Sequence, residues 1–167
     1  GIALISENRK EEGILPNFDN KDNISLASLK KYMSGIVIND NKKKQNALEK
    51  GKQVGLKPND PAFMTVSLSG GNAQKVILAR WMSTDATVMI FDEPTKGIDI
   101  GAKADIYLLM EKMAEQGVAI IMVSSELTEV MGMSDRIIVM RDGEITGELA
   151  KEEFSEQNIL NYTVEGN

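Results

Sequence analysis

The sequence predicts an α/β fold built on a mostly parallel sheet, and three features predict it. Val88 to Phe91 is a short continuous apolar run between Asp85 and Asp92, the pattern of a strand buried on both faces. From Ala86 onward, strand-like and helix-like segments alternate. Ser69-Gly70-Gly71 opens a stretch, Asn72 to Met82, without Pro or Gly, as a capped helix does.

The elements follow in order. Ile2 to Ser6 reads as a strand that leads into a loop through Arg9 to Gly13. Asp22 to Thr84 reads as mostly helical and includes a helix from Asn41 to Val54, ended by the turn residues Gly55 to Asp60. A strand over Ala86 to Phe91 precedes a helix from Ala102 to Gln116. In that helix Ile106, Leu109, Met110 and Met113 fall at helical spacing, and Gly117 is placed to cap it. Val118 to Val123 is the next strand, followed by a short helix from Glu126 to Met131. Arg136 to Met140 and Glu144 to Glu148 read as strands joined by Arg141-Asp142-Gly143, a hairpin signal. Phe154 to Tyr162 closes the chain as a helix.

Composition narrows the function classes. A chain of 167 residues with 42% hydrophobic content fits one domain with a core. It has no apolar run long enough to span a bilayer and no signal peptide. The absence of cysteine excludes a disulfide framework and thiolate metal sites. A net charge of −6 argues against nucleic-acid binding. The one basic run, Lys42 to Lys44, reads as a solvated helix face.

The chemistry lies in two segments. Ser69 as an N-cap leaves the first amides of its helix pointing outward, and Gly70 and Gly71 let a phosphate approach the backbone. The strand ending at Asp92-Glu93-Pro94 carries two carboxylates to its C-terminal edge, where ligands bind in open α/β sheets. Asp92 suits Mg²⁺, held through water, and Glu93 suits polarising an attacking water. An ordinary capped helix and a solvated acidic turn are the bland readings of each segment alone. The two together point to nucleotide phosphate.

Leu68 to Lys75, Phe91 to Thr95 and Gly97 to Asp99 resemble the ATP-binding cassette of ABC transporters. The resemblance implies a P-loop NTPase-like cassette with a mostly parallel sheet and a helical subdomain at about residues 20–84. It makes Ser69, Gly70, Gly71 and Asn72 the signature motif, with Gln74 beside it. It makes Val88 to Asp92 the Walker B strand with Asp92 toward the metal, Glu93 the catalytic glutamate and Asp99 the D-loop aspartate. Ser67 to Val76, Asp92 to Asp99, Ser124 to Leu127, Ile5 to Lys10 with Gly13, and Gly132 to Met140 look more closely like the second cassette of bacterial sugar-importer ATPases. That resemblance implies ATP and Mg²⁺ as ligands. The partners it implies are a first cassette of the same polypeptide or a second copy, a membrane sugar permease and, through it, a sugar-binding protein. The implied place is the cytoplasmic face of the membrane. A soluble cassette ATPase without a permease and a regulatory cassette without turnover are the alternatives.

The departures carry expectations too. Ala73 stands where the subfamily usually has Gln. Ser125 stands where most cassettes have a switch His, and the chain has no histidine at all. Glu7 stands where others have the Q-loop Gln. The resemblance therefore implies a weakened ATP site in this cassette and a signature that serves its partner's site. None of the fourteen glycines belongs to a Gly-x-x-x-x-Gly-Lys-Ser/Thr phosphate loop, which the resemblance places upstream of Gly1. A cassette lacking its N-terminal part is the expectation, with an exposed sheet face that invites self-association.

Overall fold

The structure, a computed structural model, describes residues 1–163, and the chain divides into two compact units, 1–121 and the stretch from 122 onward. In the first unit β1 (Ile2–Ile5) pairs in parallel with β4 (Val88–Asp92), Ile2 lying opposite Val88 and Ile5 opposite Phe91. β5 (Ala119–Val123) extends the sheet to the order β1-β4-β5, and the chain passes into the second unit within it. Parallel pairing brings the ends of β1 and β4 to one edge. The residues that follow each strand are therefore neighbours there.

The strands do not have the two-sided burial that their apolar runs predict. Ala3, Ile5, Met89 and Phe91 are buried, whereas Ile2 is 72% exposed, Leu4 53% and Ile121 52%. α3 (Gly70–Met82) packs on β1, and on the opposite face Ile2 and Leu4 are open while their β4 neighbours Val88 and Ile90 are half-buried. Burial therefore alternates, although the sequence is apolar at every position.

Between β1 and β4 the chain is less uniformly helical than its sequence suggests. A short π-helical turn (Arg9–Gly13) precedes α1 (Asn20–Ser25) and a 3₁₀ stretch, Leu26–Tyr32, kinked at Ser28. A hairpin of β2 (Met33–Ser34) and β3 (Val37–Ile38) then turns on Gly35 at φ 64°. Strands of two residues leave no period-two pattern to read. Next comes α2 (Asp40–Gln53), started by Asn39, whose side chain accepts from the Lys42 amide at 3.1 Å. Lys42 and Lys44 are exposed as expected. Lys43 between them is buried and ion-paired with Asp22, which ties α2 to α1.

A buried polar network underlies this region. Asn23, fully buried, accepts from the Leu15 amide at 2.8 Å and donates to the carbonyls of Leu15, Phe18 and Asp19. Arg80 of α3 donates to the Asn23 carbonyl at 2.7 Å and to Asn23 Oδ1 at 3.0 Å. Burial pulls the Arg80 guanidinium down to about 10, so it stays charged at neutral pH and depends on these acceptors. One asparagine thus holds both the 15–19 loop and α3.

α4 (Ile100–Glu115) connects β4 to β5 and buries Ile106, Leu109, Met110 and Met113, the stripe read from its spacing. Gly117 just beyond it has φ 88°, the left-handed conformation of a helix stop. The second unit holds α5 (Leu127–Met133), the hairpin β6 (Arg136–Arg141) and β7 (Glu144–Ala150), and α6 (Glu156–Thr163). Asp142 at φ 51° and Gly143 at φ 85° make the hairpin turn that the dipeptide signals. Ile137, Val139, Leu149 and Ile159 form its core, with Val130 and Phe154 packed against them. Among the described residues no helix is long and apolar enough to cross a membrane.

Two outcomes follow from this packing. Asn23→Ala leaves Arg80 and the Leu15 amide with buried groups unmade, so urea unfolding should show a loss of about 2–4 kcal/mol. The open sheet face should drive the isolated chain to self-associate. Light scattering over a concentration series should show this, with Leu4→Lys reducing it. A monomer at all concentrations would contradict it.

Candidate functional site

The site grows from the edge where β1 and β4 end. Glu7 follows β1 and accepts from Lys96 Nζ at 2.6 Å. The Glu7 contact, first through the hydrogen bond and then through charge, raises Lys96 above its ordinary value, and Glu93 and Asp92 add to the shift. Three carboxylates therefore act on one ammonium. Two residues beyond Glu7, Arg9 donates from Nη2 to the Lys96 carbonyl at 2.7 Å, and partial burial lowers its guanidinium below the ordinary value. The segment after β1 is strapped to the segment after β4 by both contacts. In the sequence Arg9 stands out only as part of the Ile5 to Lys10 segment. Its signal was a charged residue two places after Glu7.

Glu93 has φ 47°, a conformation rare for a residue with a side chain and costly by about 1–3 kcal/mol. Beyond it the Lys96 amide donates to the Glu93 carbonyl at 3.2 Å, and the Ile98 amide to the carbonyl of buried Thr95 at 3.2 Å. Gly97 at φ 66° completes the turn. Asp99 then caps α4, its Oδ1 accepting from the Ala102 amide at 3.0 Å. Asp99 thus has a firm structural duty as well as an exposed position.

Ser69 caps α3 as its sequence predicts. Asn72 donates to Ser69 Oγ from its side-chain amide at 3.0 Å and from its backbone at 3.5 Å, while Asn72 Oδ1 accepts from the Lys57 amide at 2.8 Å. Ser69 and Gly70 are exposed, so the start of the helix faces solvent. A Cβ on Gly70 would lie 3.5 Å from the Gly97 carbonyl and 3.7 Å from Arg9 Nη2. The helix start therefore sits beside the turn after β4 and the arginine after β1. Gly71 is buried against α4, where an added Cβ would come 2.6 Å from the Cβ of Ala102.

A groove of about 520 Å³ opens at this corner, lined by Ser69, Gly71, Asn72, Lys75, Asp99, Ala102 and Asp105, with Lys52, Lys57 and Lys112 around it. Asp105 is held below the usual carboxylate range, first by the hydrogen bond from Lys75 and then by its charge. Gln74, which the resemblance places beside the signature, is buried in the packing of α3, and its Oε1 has no hydrogen-bond partner among the described residues. The whole stretch from Ala73 to Arg80 of α3 is buried with it. Ser125 lies exposed in the second unit. There its neighbour Ser124 accepts from the Glu126 amide at 3.1 Å and is hydrogen-bonded to buried Glu129.

Among the described residues no group of three or more His, Cys, Asp or Glu could hold a metal ion. Asp92 ends β4 with a single carboxylate, the kind of oxygen ligand that a hard cation keeping several waters can take.

A parallel sheet with a glycine-rich, serine-capped helix start and acidic residues at the strand ends defines a domain of the ATP-binding-cassette class. The ABC transporter family model matches residues 2–96, and the chain belongs to that family. It is 46% identical over 166 residues to the putative ribose/galactose/methyl galactoside import ATP-binding protein 1 of Rhizobium etli, covering 99% of this chain and 32% of that protein. It is 45% identical to the ribose import ATP-binding protein RbsA of Oceanobacillus iheyensis, over 100% of this chain and 34% of the relative. The chain thus spans about a third of the length of the curated relatives it matches. Its fold matches the post-hydrolysis dimer of the ATP-binding cassette MJ0796 bound to ADP and phosphate, with a TM-score of 0.75 and 24% identity over 92% of this chain and 64% of that one.

Gly71 gives a direct test of this packing. Gly71→Ala should destabilise the chain by about 1–3 kcal/mol through its clash with Ala102. Adding Ala102→Gly should return part of that loss in thermal melting. A double variant no more stable than Gly71→Ala would disprove the close contact.

Proposed function

We propose that this chain is part of the second cassette of an ABC importer ATPase that drives monosaccharide uptake. The observation that carries the reading is the exposed, serine-capped start of α3, set beside the turn that follows the strand-end carboxylates. Close identity to ribose and galactose import ATP-binding proteins supports the sugar class. Residues 20–84 act as the helical subdomain within this reading.

ATP supplies the phosphoryl group whose transfer to water drives the cycle, and Mg²⁺ would neutralise charge on its phosphates. Ser69 and the amides at Gly70 and Gly71 receive the γ-phosphate of ATP held by the first cassette, or by a second copy, stacked against this one. Charge-assisted donors at a helix start suit that anion. Asp92 would hold the metal through water, and Glu93, whose backbone has a strained φ, would polarise the attacking water. Asp99 borders the partner cassette. Glu7 links this edge to the segments that follow β1. Ser125, in place of a switch histidine, leaves this cassette's own site weaker than its partner's.

A permease surface is supported by Leu15, Phe18, Met64 and Val66, which are 36%, 46%, 41% and 55% exposed. Asp19 bridges to Met64 and the Thr65 amide donates to the Phe18 carbonyl, so two of the segments that carry them are neighbours. Exposed apolar side chains grouped in this way suit a protein partner. Transport follows when ATP closes the cassette pair and hydrolysis reopens it, a coupling by differential affinity for two states. The protein then works at the cytoplasmic face of the membrane, with a sugar-binding protein acting through the permease.

The isolated chain holds no phosphate loop, so it should bind ATP weakly and show no turnover. Mg-dependent hydrolysis by the pure chain, abolished by Glu93→Gln, would refute that. In the full-length protein, Ser69→Arg should reduce transport-coupled ATPase at least about a hundredfold. Glu93→Gln should cost less than the same change in the first cassette. Equal losses from the two glutamate variants would remove the asymmetry.

A further inference from the structure

Helices α3 and α4 meet at two points one turn apart. Near their starts Gly71 touches Ala102. One turn on, Lys75 donates from Nζ to Asp105 Oδ2 at 2.6 Å and to the Gly55 carbonyl at 3.2 Å. Residues three or four apart share a helix face, so Gly71 and Lys75 form one side of this seam and Ala102 and Asp105 the other. The Lys75 side chain is 9% exposed and that of Asp105 55%. Exposed ion pairs do little for stability. Here the ammonium is buried, and removing its partner strands a charge inside the protein. The Gly55 contact draws the loop after α2 into the same knot.

The spacing gives this knot a second meaning. Ser69 caps α3 six residues before Lys75, and Asp99 caps α4 six residues before Asp105. Both caps line one groove with the ion pair at its side. We infer that Lys75 is a positioning residue: through Asp105 it locks the Ser69 end of α3 to the Asp99 end of α4, so that the two contact segments move as one body. The inference rests on the proposed function, in which Ser69 meets nucleotide and Asp99 borders the partner cassette. With the lock broken, either cap can shift alone. Nucleotide affinity then changes little, because the opposing phosphate loop holds the ligand, while the reacting geometry is lost.

The test uses the full-length protein. ATPase rates against ATP concentration are measured for wild type, Lys75→Met, Lys75→Arg, Asp105→Asn and the double variant Lys75→Met/Asp105→Asn. Hydrogen exchange is followed in peptides covering 69–75 and 97–105. Lys75→Met and Asp105→Asn should each lower kcat about tenfold with KM within about twofold, the mark of a loss felt in the reacting complex. Exchange should rise in both peptides together, Lys75→Arg should keep most activity, and the double variant should fall no more than about twofold below the poorer single variant. Unchanged kcat in both single variants, a rise in only one peptide, or single losses that add in full in the double variant would overturn the lock. If Lys75→Met does not fold, Asp105→Asn and Lys75→Arg decide. Ser69→Arg is the control on the underlying reading. Wild-type turnover untouched by Ser69→Arg would sink that reading, while the paired exchange pattern would still decide the lock.

Discussion

Everything in the first unit is arranged around the burial of α3. From Ala73 to Arg80 every residue of this helix is buried, and α1, α2, α4 and β1 all pack against it. A helix enclosed on all sides cannot tilt or slide without disturbing each neighbour. Its exposed start, Ser69 and Gly70, therefore has a fixed direction in space. The phosphate contact proposed for this helix end needs that, because backbone amides act only along their own axes.

The enclosure has a cost in polar groups, and the chain meets it locally. Arg80 finds the carbonyl and side chain of Asn23, and Lys75 finds Asp105 and Gly55. Each of these partners belongs to a different neighbour, so satisfying the charges also fastens the elements together. Among the buried side-chain nitrogen and oxygen atoms of the described residues, only Gln74 Oε1 is left without a partner. At the sheet edge the same logic runs through Glu7, Arg9 and Lys96. Two charged contacts between the segments after β1 and β4 hold the turn that presents Glu93 and Asp99.

Much of this was legible in the residues. Ser69 announced a cap, the stripe from Ile106 to Met113 announced the buried face of α4, and Asp142-Gly143 announced a primed hairpin turn. Each is a short-range rule in which a side chain acts on its own backbone or repeats at a helical interval. The β2–β3 hairpin escaped because its strands are two residues long. Lys43 escaped because its charge looks the same as that of Lys42 and Lys44. Only the approach of Asp22 from α1 makes it a buried partner.

The sequence by itself determined the class of fold, the order of its main elements and the residue types gathered at the candidate site. Those follow from hydrophobic periodicity, capping chemistry and the few side chains able to meet phosphate and a divalent cation. Tertiary structure alone decided which apolar positions of the sheet are buried, because coverage of a strand depends on what packs over it. It also decided that Gln74 turns inward, that Arg9 straps two strand ends together, and that Lys75 reaches Asp105. Those outcomes depend on contacts between residues thirty to ninety positions apart, and no local pattern encodes a distance of that kind.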